Sequence, residues 1–246
     1  MTEYDAQVAE WAEAKVVELR VLGVAQLLRQ TVGRTWRRNA DGYDPNAGDT
    51  ARSLGVTQSE NLRELMLREY HDHQELWRTR GVTVSAPEQS LLVNAAGLAL
   101  HPMKARTNTE QDPQWDAMRW SERSLVRRTA ARENRAGYVP AFATPFPGME
   151  TMGQNPDVLG HTMVVYRGDL ATGRTAGWFA VPSADEAGQE SNHPWMAVTA
   201  LWRDEGDAGR AARPEGGDPA SLTRFDTRPA PEAPVTLKPA RRPSAS

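Results

Sequence analysis

The sequence is constrained most by one strand–turn–strand signal, HTMVVYRGDLATGRTAGWFAVP, at residues 161–182. A β-branched and aromatic run at residues 163–166 leads into turn chemistry between Gly168 and Gly173. A second apolar run at residues 178–181 follows, and Pro182 ends it. This pattern predicts a hairpin that other strands can join and that helices can cover.

Further short runs have strand character on both sides of this hairpin. Residues 82–85 form one, and residues 91–94 and 98–104 pair naturally around the four-residue turn 94–97, which ends in glycine. Pro102 favours an edge position or a strand end, because proline cannot donate a ladder hydrogen bond. Residues 195–202, WMAVTALW, give a final strand. The sequence therefore predicts an antiparallel sheet of about five strands.

Three segments have helical periodicity. Residues 5–37 read as one long helix, or as two helices joined near Gly23. Residues 57–78 follow a capping box from Thr57 to Glu60, and residues 115–136 form the third segment. We expect these helices to pack on one face or at one end of the sheet, which makes the fold class α+β. Periodicity leaves the strand order open.

The last part of the chain differs in composition from the rest. After residue 203 the sequence is rich in Gly, Ala, Pro, Arg, Glu and Ser, with few large apolar side chains. Such a segment buries too little surface to offset its ordering entropy. We therefore predict a single domain at residues 1–203 and a disordered tail at residues 204–246.

Composition excludes several classes of site. The 246 residues include no cysteine, which excludes disulfides, thiolate nucleophiles and cysteine-ligated metals. The acidic start lacks signal-peptide character, and no apolar run approaches a membrane span, so we expect a cytoplasmic protein without membrane contact. A strong preference for arginine over lysine, with abundant Ala and Gly, indicates a bacterial origin.

An arginine-rich segment is the first candidate for function. Guanidinium groups bind phosphates and indole rings stack on bases, so arginines beside tryptophans suit DNA or RNA. The predicted nucleic-acid-binding residues are Arg119, Arg123, Arg127, Arg128, Arg132, Trp115 and Trp120. The alternative is an amphipathic helix with a solvated basic flank. The net charge of −3 requires any such contact to be local.

A second nucleic-acid signal lies earlier in the chain. The sequence ARSLGVTQS at residues 51–59 resembles the turn of bacterial helix-turn-helix proteins: an alanine, then Leu-Gly-Val, then a polar helix start. This resemblance implies that the helix after Thr57 could read DNA. The alternative is a plain capped helix.

Catalytic motifs are weak. His71 and His73 point apart on a helix, and no metal site or cofactor is predicted. His101, His161 and His193 fall at strand margins, where they could line one end of a sheet. Lys104 lies on a predicted strand. A lysine on a strand behind acidic residues is similar in outline to the arrangement in metal-dependent nucleases, although Glu88 is the only nearby upstream carboxylate here.

These observations favour a non-enzymatic bacterial binding protein that contacts nucleic acid through the arginine-rich helix. One alternative is a protein-interaction or self-associating module that uses the Trp-rich sheet edge at residues 195–202. The other is a hydrolase or nuclease, with residues 138–161 covering its site. A pocket lined by His101, His161 and Glu150 would favour this last hypothesis.

Overall fold

A computed structural model describes residues 4–120, 124–143, 155–185 and 189–204. Within these residues the chain forms helices and strands in the following order: α1 (Ala6–Val21), α2 (Val24–Asp41), α3 (Ala51–Asp72), α4 (Gln74–Thr79), β1 (Thr83–Ser85), β2 (Leu92–Ala95), β3 (Leu98–Lys104), α5 (Leu125–Gly137), β4 (His161–Gly168), β5 (Thr175–Ala184) and β6 (Glu190–Arg203). The α+β prediction is confirmed. None of the helices in these ranges is long and apolar enough to cross a bilayer.

All six strands belong to one sheet, and their spatial order follows the chain from β1 to β6. Four of the five ladders are antiparallel, whereas β3 and β4 are parallel, with Ala99 opposite His161 and Lys104 opposite Tyr166. The prediction of a wholly antiparallel sheet is therefore wrong at this ladder. Parallel neighbours need a long crossover connection, and α5 lies within it.

Helices cover both faces of the sheet. Alternate residues of β4 and β5, including Val164, Tyr166 and Phe179, pack in a core with apolar residues of α1, α2 and α3. The intervening residues, including Val165 and Trp178, pack in a second core with Ala130 and Ala131 of α5. The prediction that the helices share one face or end is thus wrong for α5.

The first predicted helical segment is two helices, as the second interpretation of residues 5–37 required. Gly23 separates them with a φ of 83°, a conformation that glycine adopts without steric cost. Asp5 caps α1 by accepting hydrogen bonds from the amides of Gln7 and Val8, and it also accepts one from the Tyr138 hydroxyl at 3.1 Å. This carboxylate therefore joins the start of the chain to the segment after α5.

Helix α3 begins earlier than the capping box at Thr57 predicts. Thr50 is its N-cap: the Thr50 hydroxyl accepts from the Ser53 amide at 3.1 Å, and the Ser53 hydroxyl accepts from the Thr50 amide at 2.9 Å. The helix then continues through Gly55 without a turn. The resemblance of residues 51–59 to a helix-turn-helix is therefore overturned, because a continuous helix occupies the span where the turn should lie.

Two tryptophans lie flat against glycines of the central strands. The ring of Trp36 covers Gly168, and a Cβ added there would stand 2.1 Å from the indole. Trp202 covers Gly177 in the same way, at 2.2 Å. These positions exclude every side chain larger than hydrogen, because α2 packs closely on β4 at Gly168 and the Trp202 ring of β6 lies over β5 at Gly177.

The described residues reach the start of the predicted tail. The Asp204 carboxylate accepts hydrogen bonds from Thr175 and from the Arg29 guanidinium, so this residue belongs to the folded domain. Residues 205–246, the rest of the predicted tail, lie outside the described residues.

Candidate functional site

The two tryptophans of the arginine-rich segment belong to the protein core. Trp120 is fully buried, and its indole donates to the Pro194 carbonyl at 2.7 Å. Trp115 is half-buried and packs edge-on against Trp178 and Trp195. Trp120 therefore has no face on which a base could stack, which corrects that part of the prediction.

The arginines of this segment do not share one surface. Helix α5 begins at Leu125, with Ser124 as its N-cap, so Arg119 precedes the helix instead of lying on it. Arg127 is half-buried and donates through Nε to the Trp120 carbonyl at 2.7 Å. Arg119 is exposed and already has an interaction partner. Arg123 lies outside the described residues.

Arg128 and Arg132 are the members of the predicted set that stay together on a surface. Both are exposed, and a spacing of four residues places them one turn apart on the outer side of α5. Neither guanidinium group has a hydrogen bond or ion pair to another residue of the described ranges. The remaining basic surface of α5 is therefore a pair of guanidinium groups.

The tryptophans of β6 are also internal. Trp195 is fully buried and Trp202 is 6% exposed. The indole nitrogen of Trp195 donates to the Met118 carbonyl, and that of Trp202 donates to the Thr175 hydroxyl. These rings stabilise the domain and do not form an exposed apolar edge.

A different constellation forms where α5 meets the start of β4. The buried Asn134 side chain donates to the His161 carbonyl at 2.7 Å and accepts from the His161 amide at 3.0 Å. This pair of hydrogen bonds fixes the helix against the first residue of the strand. It also brings the neighbouring Glu133 carboxylate within 2.5 Å of Nε2 of His161.

The contact continues from His161 to a second imidazole. Nδ1 of His161 lies 3.2 Å from Nε2 of His101, and the two rings are stacked with centroids 5.5 Å apart. The parallel ladder produces this pairing, because His101 and His161 lie two residues apart along the same face of adjacent strands. With one proton on each ring, Glu133 accepts from Nε2 of His161, Nδ1 of His161 accepts from His101, and Nδ1 of His101 is left as the basic nitrogen.

The environment keeps His101 neutral. Burial is the main cause that lowers the pKa of His101 to about 4, and electrostatic interactions with His161 and Arg127 act in the same direction. At neutral pH the imidazole is therefore unprotonated, and one ring nitrogen keeps a free lone pair. A buried histidine with a strongly lowered pKa beside a carboxylate–imidazole pair is a feature of acid–base sites.

A cavity of about 170 Å³ lies beside His101. It occurs beside the start of β2, because β2 pairs with β3 only as far as Leu100 and leaves the following edge of β3 without that partner. The polar residues that line it are Ser59, Gln89, Ser90, His101, Ser124, Arg127 and Tyr166. The histidine pair therefore ends at a small polar pocket, and we name it the His101 pocket.

The other predicted chemical groups lie elsewhere. His193 packs its ring against Phe142, 5.0 Å away, and takes no part in the histidine pair. Lys104 faces the opposite side of the sheet from His101, donates to Asn108 at 2.6 Å and lies over the Trp36 ring. Within the described ranges no group of three or more histidines and carboxylates could hold a metal ion, and Glu150 lies outside those ranges.

Sequence reasoning placed His101 and His161 at the end of a sheet, and the structure brings them together. It missed Glu133, which lies within the arginine-rich segment. It also missed the inward direction of Arg127, which spacing alone does not reveal. Comparisons with protein-family models, with curated proteins and with solved structures gave no match.

Proposed function

We propose that the protein is a hydrolase in which His101 acts as the general base in the His101 pocket. The observation that carries this proposal is the chain of contacts from Glu133 through His161 to His101, which ends at the cavity. An unprotonated imidazole that is oriented by a second imidazole has the free nitrogen that a general base requires. The sequence-based preference for a non-enzymatic protein becomes the second candidate.

The proposed reaction uses water as the nucleophile. Nδ1 of His101 takes a proton from a water molecule in the pocket, and the resulting hydroxide attacks the ester or phosphoester group of the substrate. The leaving group receives that proton from the imidazolium, which restores neutral His101. The Arg127 guanidinium, at the pocket wall, stabilises the negative charge that develops on the attacked group. Glu133 is a positioning residue, because it acts through His161.

The test uses the full chain and three chromogenic substrates: 4-nitrophenyl acetate, 4-nitrophenyl phosphate and bis(4-nitrophenyl) phosphate. We expect hydrolysis of at least one of them, and a loss of about 100-fold or more in His101→Gln. His71→Gln, which changes an exposed histidine on α3, is the matched control and should retain the rate. Because the pKa of His101 is about 4, the rate should rise with pH through that region and then level off.

Two outcomes would refute the proposal. One is hydrolysis no faster than in buffer for all three substrates. The other is hydrolysis that His101→Gln leaves unchanged, which would place the active groups elsewhere.

The second candidate is contact with DNA or RNA through Arg128 and Arg132. Their exposure and their spacing of one helical turn favour it, since two guanidinium groups can contact neighbouring phosphates. Binding of a labelled 20-nucleotide duplex and single strand would be followed by fluorescence anisotropy across a salt series. Arg128→Glu with Arg132→Glu should lower the salt-dependence slope by about 2, as expected for two lost phosphate contacts.

The matched control changes the same total charge on other helices. Arg68 and Arg78 are exposed on α3 and α4, and Arg68→Glu with Arg78→Glu should leave binding nearly intact. Equal loss in the two double variants would show a response to net charge alone, and no binding at low salt would exclude this candidate.

A further inference from the structure

The segment between β1 and β2 has strained backbone beside the His101 pocket. Glu88 and Gln89 are consecutive non-glycine residues with φ of 48° and 67°. Such conformations cost free energy at each residue, and they persist only where surrounding contacts hold them. Strain of this kind is concentrated at functional sites and at segments that switch between two states.

One arginine holds the strained segment closed. Nη1 of Arg63 on α3 donates to the Gln89 backbone carbonyl at 3.3 Å and to the Gln89 side-chain oxygen at 3.1 Å. The Ser90 amide also donates to the Pro87 carbonyl at 2.8 Å, which closes the turn on itself. Within the described residues, this guanidinium therefore provides the hydrogen bonds that link α3 to Gln89.

Gln89 separates two cavities. It lines the His101 pocket on one side, and on the other it lines an open groove of about 410 Å³ along α3. Ser59 also lines both cavities, so the groove and the pocket meet at these two residues. Arg63 lines the groove but not the His101 pocket. Gln89 therefore lies between the groove and the His101 pocket.

We propose that residues 86–90 form a gate between the α3 groove and the His101 pocket, and that Arg63 is its latch. In the closed state the two hydrogen bonds from Arg63 hold Gln89 across the junction. In the open state these bonds are broken and the strained φ angles relax, so the groove and the pocket become continuous. The gate is a property of the fold and does not depend on which reaction the pocket performs.

Chemical modification of His101 tests the gate without any substrate. Diethyl pyrocarbonate acylates neutral imidazoles, and peptide mass spectrometry gives the rate at each histidine. His101 is 6% exposed, whereas His71 on α3 is exposed and serves as the internal reference. In the protein without substitutions, we expect His101 to react at least about tenfold more slowly than His71, because His101 reacts only when the gate is open.

Two substitutions should move this rate in opposite directions. Arg63→Met keeps the apolar stem but removes the donors, so the rate at His101 should rise about tenfold, the effect expected from losing two hydrogen bonds. Glu88→Gly removes the strain of a non-glycine residue at positive φ and stabilises the closed state, so the rate should fall by about twofold to fivefold. The rate at His71 should not change in either variant.

A matched control separates opening of the gate from general loss of stability. Arg29→Met removes an ion pair with Asp204, far along the chain from this segment, and should leave the rate at His101 unchanged. The proposal is overturned if Arg63→Met and Arg29→Met accelerate the reaction equally, or if neither Arg63→Met nor Glu88→Gly changes it. A failure of hydrolysis alone would refute the hydrolase proposal and leave these rates as predicted.

Discussion

Burial of His101 makes the stability of the domain depend on pH in a way that one substitution should remove. The pKa of His101 is about 4 in the folded protein, against 6.5 for an unperturbed histidine. Between pH 4 and pH 6.5, the His101 imidazole therefore binds a proton in the unfolded chain but not in the folded protein. Stability from this residue is complete above pH 6.5 and is lost as the pH falls toward 4.

The size of the effect follows from the two pKa values. Between pH 8 and pH 4.5, the folded state loses about 2.5 kcal/mol relative to the unfolded state through His101 alone. Glutamine at position 101 does not titrate. The free energy of unfolding of His101→Gln should therefore fall by about 2.5 kcal/mol less than that of the original protein over the same pH range. The charged and titratable groups that face His101 are His161 on β4 with its partner Glu133 on α5, and Arg127 on α5.

The assay is urea unfolding at pH 8 and at pH 4.5, followed by tryptophan fluorescence, for the unmodified protein, His101→Gln and the exposed-histidine control His71→Gln. Contributions from the other carboxylates and histidines cancel in the comparison, except for changes at His161. An NMR titration of the imidazole C–H signals measures the midpoint of His101 directly. A midpoint near 6.5, or equal pH dependence in the three proteins, would refute the reasoning.

Three further changes test the packing and the electrostatics. Burial lowers the pKa of Lys104 to about 8, so the free energy of unfolding should rise by at most about 3 kcal/mol from pH 8 to 10.5. In urea unfolding of Lys104→Met, this rise should be absent. Gly168→Ala should cost about 3 kcal/mol or more in urea unfolding because its Cβ meets Trp36, whereas Gly160→Ala, where an added Cβ has no neighbour within 4 Å, should stay within about 0.5 kcal/mol. Asp5→Ala removes a helix cap and a buried acceptor, so chemical unfolding should show a loss of about 2–4 kcal/mol, and a loss below about 1 kcal/mol would contradict that role.

Local signals predicted the strands better than they predicted the helix boundaries. The hairpin at residues 161–182 was recognisable because its turn and both strands lie within one short span. The start of α3 was misplaced because the chain has two capping patterns, at Thr50 and at Thr57, and the structure uses the first. Starting at Ala51 allows the helix to bury Leu54 before Thr57 is reached, which is a tertiary effect.

The candidate site was only half visible in the sequence. His101 and His161 stood out as histidines at strand margins, yet nothing local indicated that the strands are parallel neighbours. Glu133 joins the pair only because Asn134 docks α5 on β4, and this contact depends on the packing of α5. Trp120 was misleading, because an indole in a basic segment reads the same whether it is solvent-facing or buried.

The order of strands in the sheet has a consequence for how the protein acquires its site. Strands β1 to β3 and strands β4 to β6 each form a meander of sequence neighbours, whereas the β3–β4 ladder joins Ala99 to His161, 62 positions later. Closing so long a loop is slow in comparison with hairpin formation, so we expect the two meanders to fold early and to dock late. His101 and His161 lie on opposite sides of this junction, and during refolding their contact should appear only in the last kinetic phase.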